Sequence, residues 1–146
     1  MIYLRKATSD DMDTVYEWAN DPATRAASFN TAEIPYETHV RWFSKVLDSD
    51  DVILFILMDD NESVGQIRLD IDGGDAEISY SISPQYRGKG YARIMLRLLK
   101  REVEENYRYI DSLIAKVKPD NDKSLKLFET EGYKKEYCCF TIKTTE

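Results

Sequence analysis

The chain has 146 residues, 42% hydrophobic and 32% charged, enough to bury one core without disulfides or a metal, and it reads as one globular domain over 1–146. A formal net charge of −7 argues against nucleic acid as a partner, because affinity for a phosphate backbone comes from clustered Lys and Arg; a basic or neutral small molecule is easier to accommodate. No apolar run suits a membrane span, the start Met1-Ile2-Tyr3-Leu4-Arg5-Lys6 lacks a signal peptide's apolar segment, and one histidine with the adjacent Cys138 and Cys139 offers no metal-ligand spacing, so the expectation is a cytoplasmic protein without a metal.

Ile2 and Leu4 alternate with Tyr3 and Arg5 and predict a short first strand ending near Ala7. Thr8 and Ser9 are N-cap residues, and Asp10 and Asp11 suit the positive end of a helix. That helix is predicted over 10–19, with Met12, Val15, Trp18 and Ala19 on one stripe, and Asn20-Asp21-Pro22 stops it. Pro35 starts a second helix, in which Tyr36, Val40, Phe43 and Leu47 recur at helical spacing up to the polar turn at 48–51.

Strands over 52–58, 64–71 and 76–82, joined by Asp59-Asp60-Asn61-Glu62 and Asp72-Gly73-Gly74-Asp75, predict an antiparallel meander. The rhythm then changes to one long helix over 91–107, with Met95, Leu96, Leu99 and Val103 buried. Residues 110–117 read as a strand, 122–131 as a short helix closed by a left-handed Gly132, and 133–143 as a last strand that holds both cysteines. The order is β-α-α-β-β-β-α-β-α-β, without internal repeat or linker.

The sharpest local feature is Ser81-Ile82-Ser83-Pro84-Gln85-Tyr86-Arg87-Gly88-Lys89-Gly90-Tyr91-Ala92, a strand that passes through a glycine turn straight into the long helix. Main-chain N–H groups at a helix start are unpaired and favour an anion, and glycine lets backbone approach phosphate closely. Lys89 and Arg93 can add charge. The segment is neither a Walker loop nor the Gly-x-Gly-x-x-Gly of a dinucleotide fold.

Gln85-x-x-Gly88-x-Gly90, preceded by Ile82-x-Pro84, resembles the Gln/Arg-x-x-Gly-x-Gly/Ala signature of the Gcn5-related N-acetyltransferases, the GNAT family. Downstream, Asn121-x-x-Ser124-x-x-Leu127-Phe128-x-x-x-Gly132-Tyr133 is similar to that family's Asn-x-x-Ala-x-x-Leu-Tyr-x-x-x-Gly-Phe. The resemblance implies an α/β fold, a mixed and mostly antiparallel central sheet flanked by helices, with acetyl-CoA as co-substrate and no metal. It implies that the pyrophosphate rests on Gln85, Arg87, Gly88, Lys89, Gly90, Tyr91 and Ala92, and the pantetheine arm on the backbone at Ile82 and on Asn121 and Ser124.

Acetyl transfer needs a base for the amine, a donor for the carbonyl oxygen that gains charge, and an acid for the leaving thiolate. A main-chain N–H near Ile82 is the expected donor. Strand alternation puts Glu77, Ser79 and Ser81 opposite Ala76, Ile78, Tyr80 and Ile82, which makes Glu77 the candidate base, acting through a water, or else an exposed strand carboxylate. The tyrosine that commonly protonates the thiolate would fall at Phe128, which has no proton to give; Tyr133 or Tyr137 serves instead, or the thiolate leaves unassisted.

Trp18-Ala19-Asn20-Asp21-Pro22, Arg25, Ser28-Phe29-Asn30 and the aromatic-rich stretch 34–43 resemble the branch that acetylates nucleotide-linked 4-amino sugars in pseudaminic acid biosynthesis. More loosely, they are similar to the ribosomal-protein N-terminal acetyltransferases, and a catalytically inactive acyl-CoA-binding module remains a third reading. Arg25, Asn30 and His39 are the candidate contacts to a small-molecule amine, although a lone histidine among aromatic residues is more often a packed one. Monomer and homodimer both stay open.

Overall fold

The computed structural model describes residues 1–144. In chain order it has β1 (Ile2–Lys6), α1 (Met12–Ala19), α2 (Pro22–Ala27), α3 (Tyr36–Asp48), β2 (Val52–Asp59), β3 (Glu62–Asp72), β4 (Asp75–Ile82), α4 (Tyr91–Asn106), β5 (Ser112–Ala115) and α5 (Asp122–Thr130). Single 3-10 turns stand at Ser9–Asp11 and Pro84–Tyr86.

The strands lie side by side as β1-β2-β3-β4-β5. The first three junctions are antiparallel and β4–β5 is parallel, with α4 as the crossover that a parallel pair requires. The meander turns use left-handed residues, Asp60 at φ 51° and Gly73 at φ 61°.

Apolar side chains cover both faces of β2, which explains its unbroken run from Val52 to Met58. On one face Phe55, Leu57, Ile67, Leu69 and Ile78 pack with Met95, Leu99 and Phe128 of α4 and α5. On the other, Leu54, Ile56 and Met58 meet Val15, Trp18, Phe43 and Val46 of α1 and α3. That second face turns polar toward β4, where Gln66, Arg68 and Asp70 stand opposite Ser81, Ser79 and Glu77.

Three expectations are corrected. The first helix opens with a 3-10 turn, where the Asp11 carboxylate accepts the Thr8 N–H at 2.8 Å and both oxygens take Arg5 at 2.8 Å. Pro22 does not only end that helix but begins α2: proline lacks the N–H that a first helical residue would leave unpaired, and the Asp21 carboxylate accepts the Thr24 N–H at 3.1 Å. Residues 134–143 form no ladder, so Cys138 and Cys139 are exposed free thiols rather than strand residues, and Phe140 and Ile142 lie in solvent. Alternation states what a strand needs on its two faces, not which edge receives it.

Gly132 does close α5, at φ 90°. Its N–H donates to Glu129 O at 3.2 Å and that of Tyr133 to Phe128 O at 2.9 Å, a Schellman turn whose apolar contact is Tyr133 on Phe128, ring centroids 5.0 Å apart. The turn fixes the Phe128 ring under the end of β4.

Candidate active site

The parallel ladder between β4 and β5 covers only Asp75–Ile78 against Ser112–Ala115. β4 continues to Ile82, still paired with β3, while the chain after Ala115 departs, and a wedge opens between the two strands. Ser83 N donates to Val64 O at 2.9 Å, so antiparallel alternation turns the main chain of Ser81 and Ser79 to β3 as well. The main-chain groups of Tyr80 and Ile82 therefore face the wedge. Arg87 Nε donates to the Ile82 carbonyl at 3.2 Å, and the Ile82 N–H is left facing the opening.

The glycine loop closes the wide end. Gly88 and Gly90 have φ 77° and 85°, conformations costly for any residue with a Cβ, and no atom lies within 4 Å of where either Cβ would stand. Gly90 is the N-cap of α4 and no side chain caps it, so the first N–H groups of the helix, from Tyr91 and Ala92 onward, open onto that space. This is a fit for phosphate oxygens, made of backbone. Exposed Lys89 holds its ammonium 5.6 Å from the Tyr86 ring centroid, and Gln85 lines a neighbouring cleft of about 490 Å³ with Ser83, Trp18, Glu17 and Glu62.

Other side chains of the loop look away from it and hold it in place. Arg87 Nη2 pairs with Asp21 at 2.6 Å and donates to Thr24 Oγ1 at 3.2 Å, which ties the loop to the start of α2. Tyr86 donates to Glu62 at 3.2 Å, and Tyr91 to Asp59, a bond that raises the Tyr91 hydroxyl above the usual phenol range. Arg93 is turned to Glu131, 3.6 Å away, which also takes Arg97 at 2.8 Å.

Across the wedge, Asn121 caps α5, its Oδ1 accepting the Ser124 N–H at 3.2 Å, and the amide N–H groups remain for a ligand. Ser124 Oγ lies 2.7 Å from the Tyr80 hydroxyl, and the Tyr80 ring meets the edge of Phe128 at 5.9 Å. Of the two phenols named as substitutes for Phe128, Tyr133 is half-buried and its hydroxyl is pushed up to about 12 by that burial and by Glu131, while Tyr137 lies out in solvent.

Glu77 sits on the paired half of β4, half-exposed, its carboxylate 2.8 Å from Lys116 Nζ. It ends a polar strip in which Gln66 donates to Ser81 at 3.0 Å, and Arg68 donates to Ser79 at 3.3 Å and lies 5.2 Å from the Trp42 ring centroid.

The acceptor-side residues are placed differently from one another. His39 is buried between Tyr16, Trp42 and Phe43, with Nε2 2.9 Å from Met12 O, and burial lowers its pKa; it is a packed residue that holds α3 to α1. Arg25 gives its guanidinium to the carbonyls of Ala19 (2.6 Å), Asn30 (2.9 Å) and Ala32 (3.2 Å) and to Ser28 Oγ (3.1 Å), so it shapes the loop after α2. The Asn30 side chain accepts the Ala32 N–H at 3.1 Å in the same loop. Lys118, just past β5, donates to Ala26 O at 3.0 Å, so α2 is tied at one end to the segment after β4 and at the other to the segment after β5.

Sequence reasoning missed the Asp21–Arg87 clasp, the Tyr86 and Tyr91 anchors and the Tyr80–Ser124 pair. Only the last left a trace in the motifs, a serine at 124 where the resembled pattern has alanine. Among the described residues no group of three or more His, Cys, Asp or Glu could hold a metal ion, and no helix is long and apolar enough to cross a membrane.

The geometry agrees with known proteins. Residues 2–134 match the acetyltransferase (GNAT) domain family. Acetyltransferase PseH of Campylobacter jejuni subsp. jejuni serotype O:23/36 (strain 81-176) is 26% identical over 137 residues, 91% of this chain and 85% of that protein. PseH of serotype O:2 (strain ATCC 700819 / NCTC 11168) is 25% identical over 86% of this chain and 78% of its own length. In fold, the chain is similar to spermidine N-acetyltransferase from Vibrio cholerae, solved in complex with CoA and spermine, with a TM-score of 0.86 and 19% identity over 93% of this chain and 82% of that one. The aminoglycoside acetyltransferase AAC(6')-Ib, solved with paromomycin and acetyl-CoA, gives a TM-score of 0.79 at 19% identity, over 92% and 84%. A backbone cradle at the start of α4, a wedge between parallel strands and a family match over nearly the whole chain lead to one conclusion: the chain belongs to the GNAT acetyltransferases, as an N-acetyltransferase with acetyl-CoA as its co-substrate.

Proposed function

We propose that the chain acetylates the primary amine of a nucleotide-linked 4-amino sugar. The observation that carries this reading is the likeness to PseH over 91% of the chain, which includes the stretch 18–43 that sequence alone relates to that branch.

In this reading Gly88, Lys89, Gly90, Tyr91 and Ala92 receive the pyrophosphate through main-chain N–H groups, with Gln85 beside them, and Asn121 binds the pantetheine arm with its free amide hydrogens. Acetyl-CoA supplies the activated acetyl group. The Ile82 N–H is a fixed dipole aimed at the carbonyl oxygen where charge develops. Glu77, reached through a water along the polar strip, takes the amine proton, and Lys116 holds its carboxylate in place until then. Arg87 and Arg25 act on the acceptor indirectly: one clasps α2, the other sets the loop at 28–34. An anionic sugar nucleotide meets local positive charge at Arg41 and Lys45, which are exposed on α3.

A second reading, a cationic amine as acceptor, is favoured by Glu17 and Glu62 in the cleft beside Gln85. Release of free thiol from acetyl-CoA with UDP-linked 4-amino sugars, spermine and ribosomal-protein N-terminal peptides tests both. Transfer to the sugars alone is expected; efficient transfer to spermine or to peptides, with none to the sugars, overturns the proposal.

A further inference from the structure

Two departures of this chain from the motif it resembles stand one helical turn apart on α5. The hydroxyl that the pattern carries at 128 is absent from Phe128, and a hydroxyl that the pattern lacks is present at Ser124. The structure connects them through a third residue. Tyr80 sits on the stretch of β4 beyond its β5 partner, two residues before the Ile82 N–H, with its ring edge against Phe128 and its hydroxyl 2.7 Å from Ser124 Oγ.

We propose that the Tyr80 hydroxyl is the acid of the acetyl transfer, with Ser124 as the positioning residue that orients and re-protonates it. The inference rests on the acetyl-transfer reading but not on which amine is the acceptor. Atoms balance as follows. The amine nitrogen forms a bond to the thioester carbonyl carbon and loses a proton to the base, the carbon–sulfur bond breaks with its electron pair on sulfur, and sulfur takes the Tyr80 proton. Ser124 then passes a solvent proton back to the phenolate.

Position and chemistry agree. The Tyr80 ring comes from the same strand as the Ile82 donor and lies against Phe128 and Ser124 of α5, so one strand would supply both the donor for the carbonyl oxygen and the acid for the sulfur. A phenol is protonated at neutral pH and so has a proton to give; burial raises Tyr80 further, with the Ser124 bond acting against it, and burial likewise raises the proton affinity of a thiolate formed beside it. Tyr133, by contrast, is packed under Phe128 and Tyr137 is in solvent.

The test titrates coenzyme A bound to the full chain, following the ultraviolet absorbance of its thiolate, a measurement that needs no acceptor. A phenol that donates to sulfur favours the thiolate, so in Tyr80→Phe the bound thiol should titrate about one pH unit higher than in wild type, with coenzyme A affinity changed by no more than about twofold. Turnover with the best amine of the panel should fall by roughly 10- to 100-fold. That deficit should shrink to about threefold or less with the selenium analogue of acetyl-CoA, whose selenolate leaves without a proton. Ser124→Ala should give a smaller loss of the same kind, and adding Phe128→Tyr to Tyr80→Phe should restore part of the rate. Equal thiol titration in wild type and Tyr80→Phe, both binding coenzyme A, overturns the assignment, as does a deficit that the selenium analogue leaves intact. Failure of the wild type itself to bind coenzyme A overturns the cofactor reading as well, so the two failures are told apart.

Discussion

Arg87 in the glycine loop and Asp21 at the cap of α2 are joined by a 2.6 Å ion pair across 66 positions of sequence. The same carboxylate accepts the Thr24 N–H, so one side chain serves as helix cap and as clasp. Burial raises the Asp21 carboxyl, but the bonds from Arg87 and Thr24 outweigh it and hold it below its ordinary range.

Arg87→Ala leaves the cap and removes the clasp together with the bond from Arg87 Nε to the Ile82 carbonyl. The Michaelis constant for the acceptor is expected to rise several-fold, while thermal stability changes little, since an ion pair at a partly exposed site contributes about 1 kcal/mol or less. Asp21→Ala removes both functions and should cost about 1 kcal/mol more in urea unfolding. Equal stability of the two variants would contradict this division of roles.

Gly90→Val places a branched side chain at φ 85°, in the space into which the first N–H groups of α4 open. Acetyl-CoA affinity should fall by at least about tenfold in calorimetric titration, because strain and blockage act together. An unchanged dissociation constant would mean that the pyrophosphate lies elsewhere.

For Glu77, replacement by Gln keeps the shape and removes the proton acceptor. Turnover near neutral pH should drop by roughly 10²-fold with acetyl-CoA affinity almost unaltered. Lys116→Ala, which frees the carboxylate from its 2.8 Å partner, should cost far less. A Glu77→Gln rate within about twofold of wild type removes Glu77 from the mechanism.

His39 gives a pH dependence. Its folded pKa is lowered by burial, so the unfolded chain binds a proton near pH 6.5 that the folded chain refuses. Stability is full above that value and declines as pH falls below it. Asp11, held low by Arg5 and Thr8 against the effect of burial, and Asp21 add a second loss as pH falls below about 4. Urea midpoints across pH 7 to 5 should therefore decline in wild type and stay level in His39→Phe; a level wild-type curve would count against the buried neutral imidazole.

The parts of the fold that were legible in the sequence are those governed by near neighbours. The α4 stripe of Met95, Leu96, Leu99 and Val103 follows from helical period, the meander from alternation between turns, and the left-handed turn ahead of α4 from two glycines between a strand and a helix. α2 was hidden because six residues hold too little periodicity to outweigh the proline that opens them. Arg25 illustrates the other limit: the sequence offers it as a contact to the amine substrate, yet carbonyls from 19, 30 and 32 converge on it, and such convergence is a property of the folded loop. The clasp at Asp21 and the Tyr80–Ser124 bond likewise join segments whose meeting only topology decides.

Because α2 is fastened by Arg87 to one lip of the wedge and by Lys118 to the other, it cannot shift without disturbing both. An acceptor that moves α2 as it docks must change the affinity of the glycine loop for acetyl-CoA, and reciprocity then requires acetyl-CoA to change the acceptor's affinity by the same factor. Such an acceptor and acetyl-CoA would then be coupled through a helix of six residues, whichever of them binds first.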